Sequence, residues 1–228
     1  MLYKFIAEKY LVDFFSRGTI RIGTIYDFTD TVAHTSARSD ISEGKHEILR
    51  EITSRVEFSN IENEPIINEC IKIKLSEDSK LILENTRLSS CREPGNGFIF
   101  CTSRRYSKET FEKWHYDSHD NDACYAIINP EAFFNAITKR IHNSIYQYIN
   151  ADVVYTPDPI PFDSIHASLN PAITKEINKY SWQCENRSIW APKMPPSILK
   201  PFIIDVPEAI QYCKPLSYIR NGSIFNYK

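Results

Sequence analysis

Glycine is scarce, with only six in 228 residues. That excludes the glycine-rich loops that cradle phosphates in dinucleotide and nucleoside-triphosphate sites. The six cysteines, at 70, 91, 101, 124, 184 and 213, form no C-x-x-C pair, which removes the common zinc and redox signatures, and no metal is expected. No Gly-x-Ser-x-Gly elbow speaks for a serine hydrolase. No run approaches 18 apolar residues, and Met1 to Ile6 is followed at once by Ala7-Glu8-Lys9 rather than by an apolar leader core. The expectation is a cytoplasmic protein with reduced thiols and no membrane contact. A net charge of −2 advertises no global attraction to nucleic acid. Repeats and low-complexity tracts are absent as well.

Aromatic residues, by contrast, are plentiful: 13 Phe, 13 Tyr and 3 Trp. In chain order, Leu2 to Ile6 reads as a strand, and Tyr10, Leu11, Phe14 and Phe15 have helical spacing up to Gly18, a C-terminal cap. Thr19 to Tyr26 alternates like a second strand, with Arg21, Gly23 and Ile25 on one face, where glycine leaves a ligand room to approach the backbone. Residues 27 to 44 are rich in Ser, Thr and Asp and read as a long binding loop. Ile52 to Phe58 and Ile67 to Lys74 look strand-like, among charges expected to be solvated. Pro94-Gly95-Asn96-Gly97 turns into a strand, Phe98 to Ser103, whose end delivers the hydroxyls of Thr102 and Ser103. A helix over Lys108 to Tyr116 carries Trp114-His115-Tyr116, and Cys124 to Ile128 is a strand. One amphipathic helix is expected over Glu131 to Ile149, a short strand at Val153 to Tyr155, and a helix over Ile173 to Tyr180. The simplest architecture is one α+β domain over residues 1–228 with a twisted, mainly antiparallel sheet.

The chemistry concentrates at Trp182-Gln183-Cys184-Glu185-Asn186-Arg187. Read as a strand, it puts Gln183, Glu185 and Arg187 on one face, an amide, a carboxylate and a guanidinium lining a polar cleft. With Ser103, Arg21 and the Trp-His-Tyr helix nearby, such a set suits cleavage of an N-glycosidic bond. Its oxocarbenium-like transition state is stabilised by a carboxylate and by hydrogen bonds to the sugar 2-hydroxyl. Tyr3 or Tyr116 would stack on the leaving group, and Arg21 or Arg187 would hold phosphate. Plainer readings stand beside these: Glu185 and Arg187 as an ion pair on an exposed strand, Trp114 and Tyr116 as core aromatics, His115 as a structural histidine, Ser103 as the cap of the helix near Lys108.

Gln183-Cys184-Glu185 resembles the Gln-x-Glu motif of mono-ADP-ribosyltransferases, and Cys101-Thr102-Ser103 resembles that superfamily's Ser-Thr-Ser element. Further stretches are similar to an uncharacterised bacterial family thought to share the fold: Leu2 to Phe5, Gly18 to Gly23, Asp27 to Asp30, Phe100 to Ser103, Trp114 to Tyr116 and Glu185 to Arg187. The resemblance implies an NAD cleft between the sheets and NAD as co-substrate, with Glu185 on the nicotinamide ribose and Gln183 orienting the acceptor. Tyr3, Lys4, Arg21, Gly23, Thr102, Ser103, Trp114, His115 and Tyr116 would line the cleft. The implied setting is a bacterial or phage toxin or defence effector, modifying a protein or a nucleic acid and held by an antitoxin or immunity protein. Two departures stand out: Tyr3-Lys4 occupies the place of a His or Arg, and Gln183 that of a Glu. Two rivals lie outside this class, a non-catalytic NAD or nucleotide sensor and a nucleic-acid-binding module using Arg104-Arg105.

Overall fold

In a computed structural model, residues 1–29, 42–76, 78–118, 120–195 and 198–227 are described; most of the expected loop, residues 30–41, lies outside them. The strands are β1 (Leu2–Ile6), β2 (Thr19–Thr24), β3 (His46–Ile52), β4 (Val56–Phe58), β5 (Leu81–Leu83), β6 (Thr86–Arg92), β7 (Phe98–Ser103) and β8 (Ala123–Ile127). They continue with β9 (Ile145–Asp152), β10 (Val154–Thr156), β11 (Ile160–Pro161), β12 (Thr174–Glu176), β13 (Glu185–Pro192), β14 (Phe202–Asp205), β15 (Cys213–Arg220) and β16 (Ser223–Asn226). The helices are α1 (Glu8–Arg17), α2 (Pro65–Cys70), α3 (Lys108–Asp117), α4 (Pro130–Ile141) and α5 (Ile177–Tyr180). The fold is α+β with largely antiparallel sheets. None of the described helices is long and apolar enough to cross a membrane.

The main sheet has nine strands among the described residues, and it forks at β7. One edge of β7 pairs along its whole length with β13, which pairs in turn with β9. The other edge is shared: Gly23 and Thr24 of β2 lie beside Ile99 and Phe98, while Tyr3 of β1 lies beside Ser103. From there β14 extends the β2 arm, and β8, β15 and β16 extend the β1 arm. Between the two arms the Cys101 carbonyl takes a hydrogen bond from Lys4 Nζ at 2.8 Å, so a side chain fills the place of a missing strand.

One face of this sheet is the core. Phe100 and Trp190 from the sheet meet Phe14 of α1 and Phe133, Phe134 and Ile137 of α4, all buried. The single indole donor there is satisfied, Trp190 Nε1 donating to Thr138 Oγ1 at 2.8 Å. Burial of such aromatics contributes roughly 1.5–3 kcal/mol each. The opposite face carries a smaller cluster, Ile25, Ile99, Ala172 and Ile189, and next to it the polar site.

α1 ends as the sequence predicts. Gly18 is left-handed, with φ 76°, and its N–H donates to the Phe14 carbonyl at 2.7 Å. A Cβ there would also run into the Val206 backbone. Gly18→Ala is therefore expected to cost more than about 1 kcal/mol, read as a lower melting temperature.

Four expected elements differ. The helix predicted to Ile149 stops at Ile141, because Ile145 to Asp152 is taken as the outer partner of β13, and its Ile-Tyr-Gln-Tyr-Ile run favours that pairing. Ile67 to Lys74 is not a strand: Pro65 starts α2, which buries Ile66 and Ile67 beneath β6. Ile52 to Phe58 divides into the end of β3 and the separate β4. Ile173 to Tyr180 breaks into a turn, the strand β12 and the single-turn α5, since Thr174 to Glu176 pairs parallel with Val154 to Thr156.

Candidate functional site

The run from Trp182 to Arg187 is not one strand. Ser181–Gln183 is a 3₁₀ turn, Cys184 is left-handed at φ 43°, and β13 starts only at Glu185. Within the strand, Glu185 and Arg187 share a face as predicted. Gln183 reaches them by another route: Lys175 Nζ donates to Gln183 Oε1 at 3.1 Å and lies 3.1 Å from Glu185 Oε2.

Register sets the neighbours. Glu185 is directly opposite Ser103, and Ser103 is directly opposite Tyr3, so the three side chains form a row on one face across β13, β7 and β1. Ser103 does not cap α3; Ser107 does, accepting from Thr110 N. The Ser103 hydroxyl instead donates to the Gln183 carbonyl at 2.7 Å, which pins the 3₁₀ turn to the end of β7. Tyr3 stacks on Tyr106 with ring centroids 5.6 Å apart.

The predicted polar cleft is occupied by charge. Arg187 Nε and Nη2 reach Glu185 Oε1 and Oε2, both at 3.1 Å, and Nη1 donates to the Ala172 carbonyl at 2.6 Å. Glu43 closes the other side, with Oε1 2.6 Å from Arg187 Nη1 and Oε2 3.1 Å from Nη2. Lys175 joins both carboxylates, 3.6 Å from Glu43. Two anions and two cations are thus buried together, Arg187 to 1 % exposure and Glu185 to 6 %. The ion pair weighed for Glu185 and Arg187 exists, but it is buried rather than on an exposed strand. Such a set is tolerated only because each charge meets partners of the other sign.

The electrostatics follow. Burial pushes the Glu185 carboxyl up, but Arg187, Lys175 and hydrogen bonds from Arg187 and Cys101 outweigh it and hold it well below the usual carboxylate range. Burial pulls Lys175 down, and Glu185 with Glu43 more than reverse that, so its ammonium is held charged. Burial likewise pushes the Cys101 thiol up, which keeps it protonated beside Glu185.

The other predicted residues scatter. Thr102 faces the opposite side of the sheet, donating to the Asn186 carbonyl at 3.2 Å, and Lys4 is on that side as well, over the Phe100 ring. Neither joins Tyr3, Ser103 and Glu185. Arg21 pairs with Asp27 at 2.6 Å. The room expected over Gly23 is filled by the Phe28 ring, which a Cβ would touch. Trp114 packs on Trp182 at 5.0 Å and on Phe5 at 5.8 Å, at the rim where the 3₁₀ turn begins. His115 is half-buried, with Nδ1 unpartnered, and is joined to none of the four charged groups. Tyr116 points to solvent at 79 % exposure. Tyr116→Ala is expected to change stability by less than about 0.5 kcal/mol and to leave any NAD-dependent activity unchanged, read by thermal melting and nicotinamide release. Arg104, half of the basic pair considered for nucleic acid, is bound to Asp152 at 2.7 Å.

Sequence reasoning missed Lys175, Glu43 and Tyr155. Lys175 falls within the helix expected over Ile173 to Tyr180, Glu43 within the long loop, and nothing in their spacing links them to Glu185. Tyr155 Oη accepts the Glu185 N–H at 2.8 Å and fixes the start of β13. Among the described residues no group of His, Cys, Asp and Glu could hold a metal ion. Compared with family models, with curated proteins and with solved structures, the chain matches none.

Proposed function

We propose that the chain is an NAD-dependent ADP-ribosyltransferase with Glu185 as its reactive carboxylate. The observation that carries this reading is the row Tyr3–Ser103–Glu185 beside a forked sheet, with the Glu185 carboxylate held ionised by Arg187 and Lys175. An ionised carboxylate is what an oxocarbenium-like ribosyl cation requires. In the reaction the bond between the ribose carbon and the nicotinamide nitrogen breaks, its electron pair leaves with nicotinamide, and Glu185 faces the cation. Tyr3 supplies a flat surface for the leaving group, while Ser103 keeps Gln183 next to the carboxylate for the acceptor. Arg187 and Lys175 keep Glu185 charged and aimed. The resemblance supplies the setting: a bacterial or phage effector acting on a protein or nucleic acid, with an antitoxin or immunity protein as its partner. Incubation with labelled NAD and cell lysate, followed by protease or nuclease, tests the reading; label on a macromolecule supports it, and its absence with no nicotinamide formed contradicts it.

One observation favours a second reading, NAD binding without turnover: the charge of Glu185 is already matched within a buried set. Calorimetric binding of NAD without nicotinamide release would select it.

A further inference from the structure

Beside the charged set, where the start of β3 meets β10, β12 and α5, lies a hollow of about 30 Å³ bounded by His46, Thr156, Asp158, Lys175, Glu176 and Tyr180, among others. A space of that size holds a water molecule or a single hydroxyl. His46 is only 6 % exposed. Its Nδ1 is 3.2 Å from Thr174 Oγ1, and that hydroxyl gives its hydrogen to the Pro171 carbonyl, also at 3.2 Å. Nδ1 must therefore be the donor, which leaves Nε2 as a bare lone pair. Nε2 is buried and meets no hydrogen-bond partner. Glu176 Oε2 is likewise buried without a hydrogen-bond partner, and its ion pair with Lys179 Nζ is long, at 3.9 Å. Two buried acceptors without a hydrogen bond thus belong to residues that line one hollow, which suits an occupant that brings hydrogen. Lys175 connects the hollow to the site, because it lines the one and lies 3.1 Å from Glu185 in the other.

We propose that the hollow is the acceptor subsite of the reaction above, seating one hydroxyl, from water or from an alcohol, whose proton His46 Nε2 takes. The inference rests on the ADP-ribosyltransferase reading. As the oxygen–carbon bond to the ribose forms, the carbon–nitrogen bond to nicotinamide breaks, its electron pair departs on the ring nitrogen, and the hydroxyl proton passes to Nε2. Burial, with Arg92 adding to it and Asp158 opposing it, holds the imidazole below its ordinary value, which suits a base at neutral pH. The other charged groups around it are Lys45, Lys175, Lys179 and Glu176.

The test is NAD turnover in ¹⁸O-water, with and without added methanol, by the wild type and by His46→Asn, whose amide can keep the bond to Thr174. Solvent label in ADP-ribose identifies water as the hydroxyl and a methyl ADP-riboside identifies an alcohol, while the His46→Asn comparison decides whether the hollow seats it. The variant is expected to lose roughly 10²- to 10⁴-fold in kcat at unchanged KM, and to lose the acid-side fall of the wild-type pH profile. Nitrogen NMR of the wild type is expected to show His46 protonated at Nδ1, a result independent of any variant's folding. Unchanged kcat and profile in His46→Asn, or a proton on Nε2, overturns the subsite alone. A wild type that releases no nicotinamide overturns the parent reading and the subsite with it.

Discussion

Arg187→Met is expected to lower stability by about 3–5 kcal/mol, the cost of leaving a buried carboxylate without its partner. Two carboxylates, Glu43 and Glu185, would then share the single ammonium of Lys175, and the Ala172 carbonyl would lose its donor. Thermal or denaturant unfolding reads the loss directly, and a change below about 1 kcal/mol would mean that the set is far more solvated than its geometry implies. The same set gives the pH dependence a sign. The Glu185 carboxyl is depressed in the folded state, so its contribution is fully present above the ordinary carboxylate range and is lost as pH falls toward the folded value. Lys175 is raised, so its contribution holds through neutral pH and is lost only as pH rises above the ordinary lysine range.

Exchanging Glu185 for Gln alone would confuse catalysis with folding, because Arg187 and Lys175 would face only Glu43. Glu185→Gln combined with Lys175→Met removes one charge of each sign and leaves the close Arg187–Glu43 pair in place. This double variant is expected to stay folded, within about 2 kcal/mol of the wild type, since buried ion pairs exchanged for neutral groups are often near-neutral. Its NAD turnover is expected to fall by roughly 10³-fold, the size of effect that follows removal of one group poised against transition-state charge. A folded double variant with undiminished turnover would transfer the chemistry elsewhere.

Much of the secondary structure could be read from local pattern: β1, α1 with its Gly18 cap, β2, β7, α3 and β8 all follow from periodicity and turn residues. What could not be read was decided by distant pairing. Ile145 and Tyr148 have helical spacing but become strand because β13 needs an outer neighbour, and Thr174 to Glu176 becomes strand because β10 lies beside it. The site divides along the same line. Glu185 and Arg187 share a face by the period of a strand, and Ser103 joins them through register. Lys175 and Glu43 arrive through the fold alone, at sequence separations of 10 and 142 residues from Glu185. Whether a polar strand face is open or filled depends on such residues, which explains why an expected cleft proved to be a buried charge set.

The central claim, that Glu185 confronts a ribosyl cation, is tested most directly by measuring nicotinamide released from NAD by the purified wild type beside the folded Glu185→Gln/Lys175→Met variant. The account predicts steady release by the wild type and about 10³-fold less by the variant. Equal release by both, or none by the wild type, would contradict it.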